Sequence, residues 1–228
     1  MEQPPTILPR PGWLGNMGSR FVALLPLKMA GTAAAMAAFF AAYFWLLRHS
    51  RSPVTTVPRI FVDRMISFRP AAVGLYVSLW VYVTLPPSLM TAAGDLRRYL
   101  AAGIIMSLLG FAVFVLWPTT IPTPDFNPAM YPSVSYLKTV DASGNAFPSL
   151  HVAFAVLTVF CLGKALHESG AGMALGVLNW IWCLGIIYST MAIRQHVALD
   201  AISGAVLGGL VAFAYMRLLC RRPADVRA

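Results

Sequence analysis

The sequence predicts an all-α, polytopic membrane protein, a bundle of six transmembrane helices with an interfacial amphipathic helix between the first two. Three observations lead there. Of 228 residues, 58% are hydrophobic and only 11% charged, against about 25% charged in an ordinary soluble domain. A membrane-spanning helix needs about 20 mainly apolar residues, and five charge-free stretches come close to that length or exceed it. A sixth carries a single charge, Asp200.

In chain order the expected spans are Met29 to Leu47, Ala71 to Gly94, Tyr99 to Trp117, Pro148 to Gly163, Ser169 to Ile193 and Val197 to Met216. The first keeps aromatic bulk (Phe39, Phe40, Tyr43, Phe44, Trp45) up to an Arg/His flank, which reads as a retained anchor rather than a cleaved signal. Between spans one and two, "PRIFVDRMISFRP" sets Phe61, Val62, Met65 and Ile66 on one side of a helix and Arg59, Asp63 and Ser67 on the other. That pattern suits a helix lying in the headgroup region. Pro118 to Pro132 contains five prolines, which remove backbone donors and force an irregular loop at the membrane surface. With no repeat of solenoid length and only short polar termini, residues 1–228 read as one integral-membrane domain with its core at 28–219.

Charge and cysteine usage narrow the partners. The net charge of +9 would raise nucleic acid in a soluble chain. Here Lys and Arg gather outside the spans, where anionic headgroups and the positive-inside bias favour them, so the partner is the bilayer and not nucleic acid. With a cytoplasmic N-terminus, ten basic residues lie inside (Arg10, Arg20, Lys28, Arg97, Arg98, Lys164, Arg217, Arg221, Arg222, Arg227). Seven lie outside (Arg48, Arg51, Arg59, Arg64, Arg69, Lys138, Arg194). The expected location is the inner membrane, with both termini cytoplasmic and the outer loops periplasmic. Cys161, Cys183 and Cys220 form neither a disulfide framework nor a zinc spacing and read as packing residues. No cofactor and no metal is expected, and oligomeric state is not readable.

Two stretches are chemically unusual. "NAFPSLHVAFA" (Asn145 to Ala155) puts His151 at the mouth of a span. "YSTMAIRQHVALDAISG" (Tyr188 to Gly204) places His196 and Asp200 four apart, on one helix face with about 6 Å between their Cβ atoms. Spans four and six have one span between them, so they start on the same side of the membrane. His151 and the His196/Asp200 pair therefore share that face in either orientation. A lone histidine most simply hydrogen-bonds a carbonyl and packs, but two histidines, a carboxylate, Ser149, Arg194 and Lys138 at one level are costly and point to chemistry. The set suits phosphoryl transfer: one imidazole attacks phosphorus, the carboxylate orients it, and a second imidazole protonates the leaving oxygen. The helix start at Pro148 and Ser149 would add a positive dipole end for phosphate.

"PSLH" at Pro148 to His151 together with "ST....QH...D" from Ser189 to Asp200 resembles the type 2 phosphatidic acid phosphatase family. The Leu where better-known members have Gly is similar to the branch of inositol phosphorylceramide synthases and related lipid phosphatases. The resemblance implies His196 as a nucleophile that forms a phosphohistidine, Asp200 as its orienting partner, His151 as the general acid and Ser149 as a phosphate-binding residue. Two departures stand out. The family's first motif, a Lys followed by Arg-Pro, is replaced by "IPTPDF" around Thr123 and Pro124. The Ser-Arg of its last motif is Ser189-Thr190. Arg194, Lys138 and Arg69 are the candidate phosphate-binding replacements, Arg69 being also a natural headgroup anchor.

The expected function is thus hydrolysis of a lipid phosphomonoester or pyrophosphate, without metal. The alternatives are transfer of a phosphoryl or phospho-headgroup unit to an alcohol such as inositol or a sugar, a proton-coupled carrier using His196 and Asp200, and a non-catalytic lipid binder. Trp80, Trp117, Trp180 and Trp182 read as interfacial or packing residues, "GAVLGG" (Gly204 to Gly209) as a close-packing surface, and His49 and His167 as solvated.

Overall fold

A computed structural model describes residues 12–49, 53–140 and 145–220. Arg10, Arg51, Asp141, Arg221, Arg222 and Arg227 lie outside the described residues. The fold is all-α, with six helices long and apolar enough to cross a membrane among the described residues: Leu25–Arg48, Pro70–Leu89, Ala93–Leu116, Leu150–Glu168, Met173–Ala192 and Ala198–Leu218. Each expected span is present, with ends shifted by a few residues.

The first helix among the described residues is α1 (Trp13–Val22), in a stretch expected to be part of a short polar terminus. Asn16 donates to the Ser169 carbonyl at 3.0 Å, and Arg20 pairs with Glu168 at 3.4 Å. The first span, α2 (Leu25–Arg48), begins with a buried lysine. The Lys28 ammonium donates to the carbonyls of Arg20 and Ser88 at 2.7 Å each, tying α1 and the second span together. After α2 come strand β1 (Thr55–Thr56) and the interfacial helix α3 (Phe61–Met65). Phe61 and Met65 are 73% and 69% exposed, as expected of a face turned to lipid. On the other face Asp63 is only 3% exposed, whereas Ser67 is exposed as expected.

The second span is broken into a 3-10 turn (Pro70–Ala72) and the short helices α4 (Val73–Val77), α5 (Leu79–Tyr82) and α6 (Leu85–Leu89). The cause is local. Ser78, Thr84 and Ser88 each turn a hydroxyl back onto the carbonyl three residues earlier, in competition with the helix ladder. Pro86 and Pro87 have no N–H to give to Tyr82 and Val83. The Val83 carbonyl is served instead by the Tyr99 hydroxyl at 3.0 Å, from α7 (Ala93–Leu116). Within a bilayer such a break survives because neighbouring helices supply the missing partners.

Strand β2 (Thr119–Thr120) pairs in parallel with β1, and the proline-rich segment that follows is irregular apart from a 3-10 turn at Pro128–Met130. Then come α8 (Pro132–Val140), α9 (Leu150–Glu168), α10 (Met173–Ala192) and α11 (Ala198–Cys220). Helix α9 is the most buried span and packs chiefly on α11 and α10. Its neighbours are held by small residues and by polar bonds. A Cβ at Gly204 or Gly208 of α11 would stand 2.2 Å from the Ser149 carbonyl oxygen or 2.3 Å from that of Ala153, so the two backbones touch. On the other side, Asn179 of α10 donates to the Val159 carbonyl at 2.8 Å and accepts from the Tyr82 hydroxyl. Cys161 and Cys183 are buried, unpaired packing residues.

Candidate active site

The histidines stand where span counting places them, at the end of the bundle where α9 and α11 begin. Ser149 caps α9: its hydroxyl accepts from Val152 N at 3.3 Å. Its own N–H donates to the Asp200 carbonyl at 3.0 Å, so the PSLH segment and the first turn of α11 are bonded directly. The glycine contact one turn further along α11 makes this approach possible. The rings of His151 and His196 are thereby brought to 5.9 Å between centroids.

His196 sits in the short connection between α10 and α11. Its N–H and that of Gln195 both donate to the Thr190 carbonyl, at 3.1 and 3.0 Å. The ring is 5% exposed and Asp200 is fully buried. Asp200 Oδ2 lies 3.5 Å from His196 Nδ1, near enough for electrostatic orientation but too long for a well-formed hydrogen bond. That same oxygen accepts from Val197 N at 3.0 Å. Among the described residues, neither ring nitrogen of His196 has a hydrogen-bond partner, nor does Asp200 Oδ1. A buried polar atom left unsatisfied costs about 1–3 kcal/mol, so three together at one spot mark a site rather than a packing detail.

Around His151 the partners are aromatic. The Tyr76 ring stacks on it at 4.4 Å, with the Tyr76 hydroxyl 3.4 Å from Nδ1, and Trp80 meets it edge-on at 5.7 Å. Both histidines line a cavity of about 150 Å³ whose walls are largely aromatic side chains of α2 and the second span. At its edge Asn145 donates to the Tyr43 hydroxyl. The cavity thus joins two imidazoles to an apolar chamber, an arrangement that fits a polar headgroup on a hydrocarbon chain.

The four residues expected to bind phosphate are placed differently from the histidines. Arg194 adopts left-handed backbone (φ 57°) and turns its guanidinium to α3, donating to the Ile66 carbonyl at 2.8 Å and the Asp63 carbonyl at 3.4 Å. Lys138 donates to the Arg194 carbonyl at 3.1 Å. Arg69 is exposed, and its backbone N–H donates to the Ala192 carbonyl at 2.9 Å. Ser149 is buried in its capping role. Into the "IPTPDF" segment reaches Arg59, which pairs with Asp125 at 2.7 Å and donates to the Thr123 carbonyl at 3.0 Å.

Tyr76 is not singled out from sequence, and Trp80 reads there only as an interfacial or packing residue. Tyr76 and Trp80 are four apart on the second span, a spacing that puts both on one helical face, but nothing local ties that face to His151. Asp63 was placed on a polar face, whereas its carboxyl group accepts from Ala198 N at 2.8 Å and Ile60 N at 2.8 Å.

Comparison with known families gives one match: the family described as the PAP2 superfamily, over residues 96–223, more than half of the chain. No curated protein and no solved structure matches the chain.

Proposed function

The chain belongs to the PAP2 superfamily, and from that footing we propose that it hydrolyses a lipid phosphomonoester or pyrophosphate through a phosphohistidine on His196. Membership supports a phosphatase- or phosphotransferase-type activity on a lipid phosphoester. The observation that carries the finer reading is the buried His196 ring, with neither nitrogen hydrogen-bonded among the described residues, 5.9 Å from a second imidazole on one aromatic cavity.

In the proposed cycle Asp200 draws the His196 proton to Nδ1 and leaves the Nε2 lone pair for phosphorus. The N–P bond forms as the bond from phosphorus to the lipid oxygen breaks, and His151 gives that oxygen its proton. Water then attacks the phosphohistidine, His151 takes a proton from it, and the N–P bond breaks to release phosphate. The amide end of α9 beside His151 supplies partial positive charge to the phosphoryl oxygens. Ser149, Arg194, Lys138 and Arg69 share this end of the bundle. In this reading the first three hold the loops that frame the phosphate, and Arg69 lies at the headgroup level. The ten-to-seven basic bias favours an outward-facing site in an inner membrane.

Leu150 in "PSLH" favours a second reading, in which an alcohol such as inositol or a sugar replaces water in the second half. A panel of phosphate-labelled phosphatidic acid, phosphatidylglycerophosphate, polyprenyl pyrophosphate and sphingolipid, given to purified protein with and without such alcohols, separates the two. Free labelled phosphate supports hydrolysis, label in the alcohol supports transfer, and no release from any lipid overturns both.

A further inference from the structure

We infer that Asp63 is a positioning residue, which from the membrane-surface helix α3 holds the loop that presents His196. The inference rests on the reading of His196 as the nucleophile. It concerns a residue outside the segment matched by the family, 96–223.

The loop at 193–197 is tied to the end of α10 by Gln195 N and His196 N on the Thr190 carbonyl, and to α11 by Val197 N on Asp200 Oδ2. Its neighbours in the chain are helix ends, and Arg194 stands in a left-handed conformation that non-glycine residues seldom adopt. Lys138 holds its Arg194 carbonyl, and a further set of restraints comes from residues 63–69, far earlier in the chain. Arg69 N donates to the Ala192 carbonyl just before the loop, and Asp63 Oδ1 accepts from Ala198 N just after it, at 2.9 and 2.8 Å. Between these, the Arg194 guanidinium is fastened to the carbonyls of Asp63 and Ile66. Residues 63–69 therefore strap the loop before, within and after His196.

Asp63 has the central place in this strap. One carboxyl oxygen binds the first-turn N–H of α11, the turn that also carries Asp200. The other binds Ile60 N and keeps α3 wound beneath its own carboxyl group. One side chain, 3% exposed, thus ties the start of α11 to α3. Phe61 and Met65 on the opposite face are exposed, which suits a helix lying at a membrane surface, so the strap is anchored at the level from which a lipid substrate would enter. Loss of Asp63 releases the start of α11, and with it the relation of His196 to Asp200 and His151. A misplacement of about 1 Å at such a site costs about a hundredfold in rate.

The test uses the full chain in lipid nanodiscs with isotope-labelled histidine, the His196 ring signals being assigned by their loss in His196→Ala. In Asp63→Ala those signals should shift or broaden while those of His49 and His167 stay in place. Turnover per folded protein should fall about a hundredfold with KM within about twofold of wild type. Asp63→Asn keeps one oxygen for Ala198 N and should restore most of both readouts. If Asp63→Ala does not fold, Asp63→Asn should still show a smaller shift of the His196 signals. Arg64→Gln, exposed on the same helix, should change neither readout. His196 signals that overlay wild type in both Asp63 variants overturn the proposal. A wild-type protein that turns over no lipid phosphate overturns the nucleophile reading alone, since the ring signals still decide on Asp63.

Discussion

Gly204 of α11 lies against Ser149 of α9 so closely that a methyl group on its α-carbon would stand 2.2 Å from the Ser149 carbonyl oxygen. This contact sets the separation of the two helices whose first turns carry Asp200 and His151. Gly204→Ala must push backbone from backbone, and overpacking of this kind costs about 1–3 kcal/mol. The unfolding temperature in detergent should fall, and turnover should fall further than the lost folded fraction explains. Gly209→Ala, with nothing within 4 Å of its added carbon, should match wild type in both measurements. Equal behaviour of the two variants would remove the helix contact from the account of the site.

Arg194→Ala removes the guanidinium bonds to the Asp63 and Ile66 carbonyls. With the loop that carries His196 freed to shift, turnover should drop roughly a hundredfold, about 2.7 kcal/mol. Activity within a factor of about two of wild type would show that these two bonds do not position the His196 loop.

Much of this architecture is legible in the sequence because the deciding signals are local. Apolar length marks all six spans, and the spacing of His196 to Asp200 gives their shared face. Counting spans then brings His151 to the same end. The close packing read in "GAVLGG" is present at Gly204 and Gly208, although Gly209 takes no part. What the sequence does not show depends on partners far along the chain. The break in the second span is written in Pro86, Pro87 and three hydroxyls, but whether the bilayer tolerates it depends on Tyr99 reaching the Val83 carbonyl. Asp63 looks like a solvated residue on an amphipathic helix until Ala198, 135 positions later, appears above it. Tyr76 and Trp80 read as ordinary span aromatics because His151 is 75 and 71 residues away.

The proposed nucleophile and acid are both imidazoles, and no step of the cycle calls on a metal ion. Turnover should therefore persist in excess EDTA. Loss of activity on chelation, restored by magnesium, would count against the histidine cycle.

The two histidines differ in role, and substrate chemistry can tell them apart. His196→Ala should abolish labelling of the protein by phosphate-labelled substrate, because in the proposed cycle the N–P bond forms on that ring while His151 handles only protons. His151→Ala should still become labelled. Its defect should follow the leaving group: an aryl phosphate leaves with little protonation, so the variant should lose far less activity on it than on a lipid alkyl phosphate. Tyr76→Phe keeps the ring stacked on His151 but removes the hydroxyl 3.4 Å from Nδ1, so it should show the same leaving-group bias in weaker form. Asp200→Asn keeps the side chain's shape and loses the charge that steadies the imidazolium, which gives an intermediate loss on both substrates. Labelling that persists in His196→Ala sinks the assignment of the nucleophile. Equal impairment of His151→Ala on aryl and alkyl phosphates would leave that ring as a phosphate-binding or packing residue, with the proton arriving by another route.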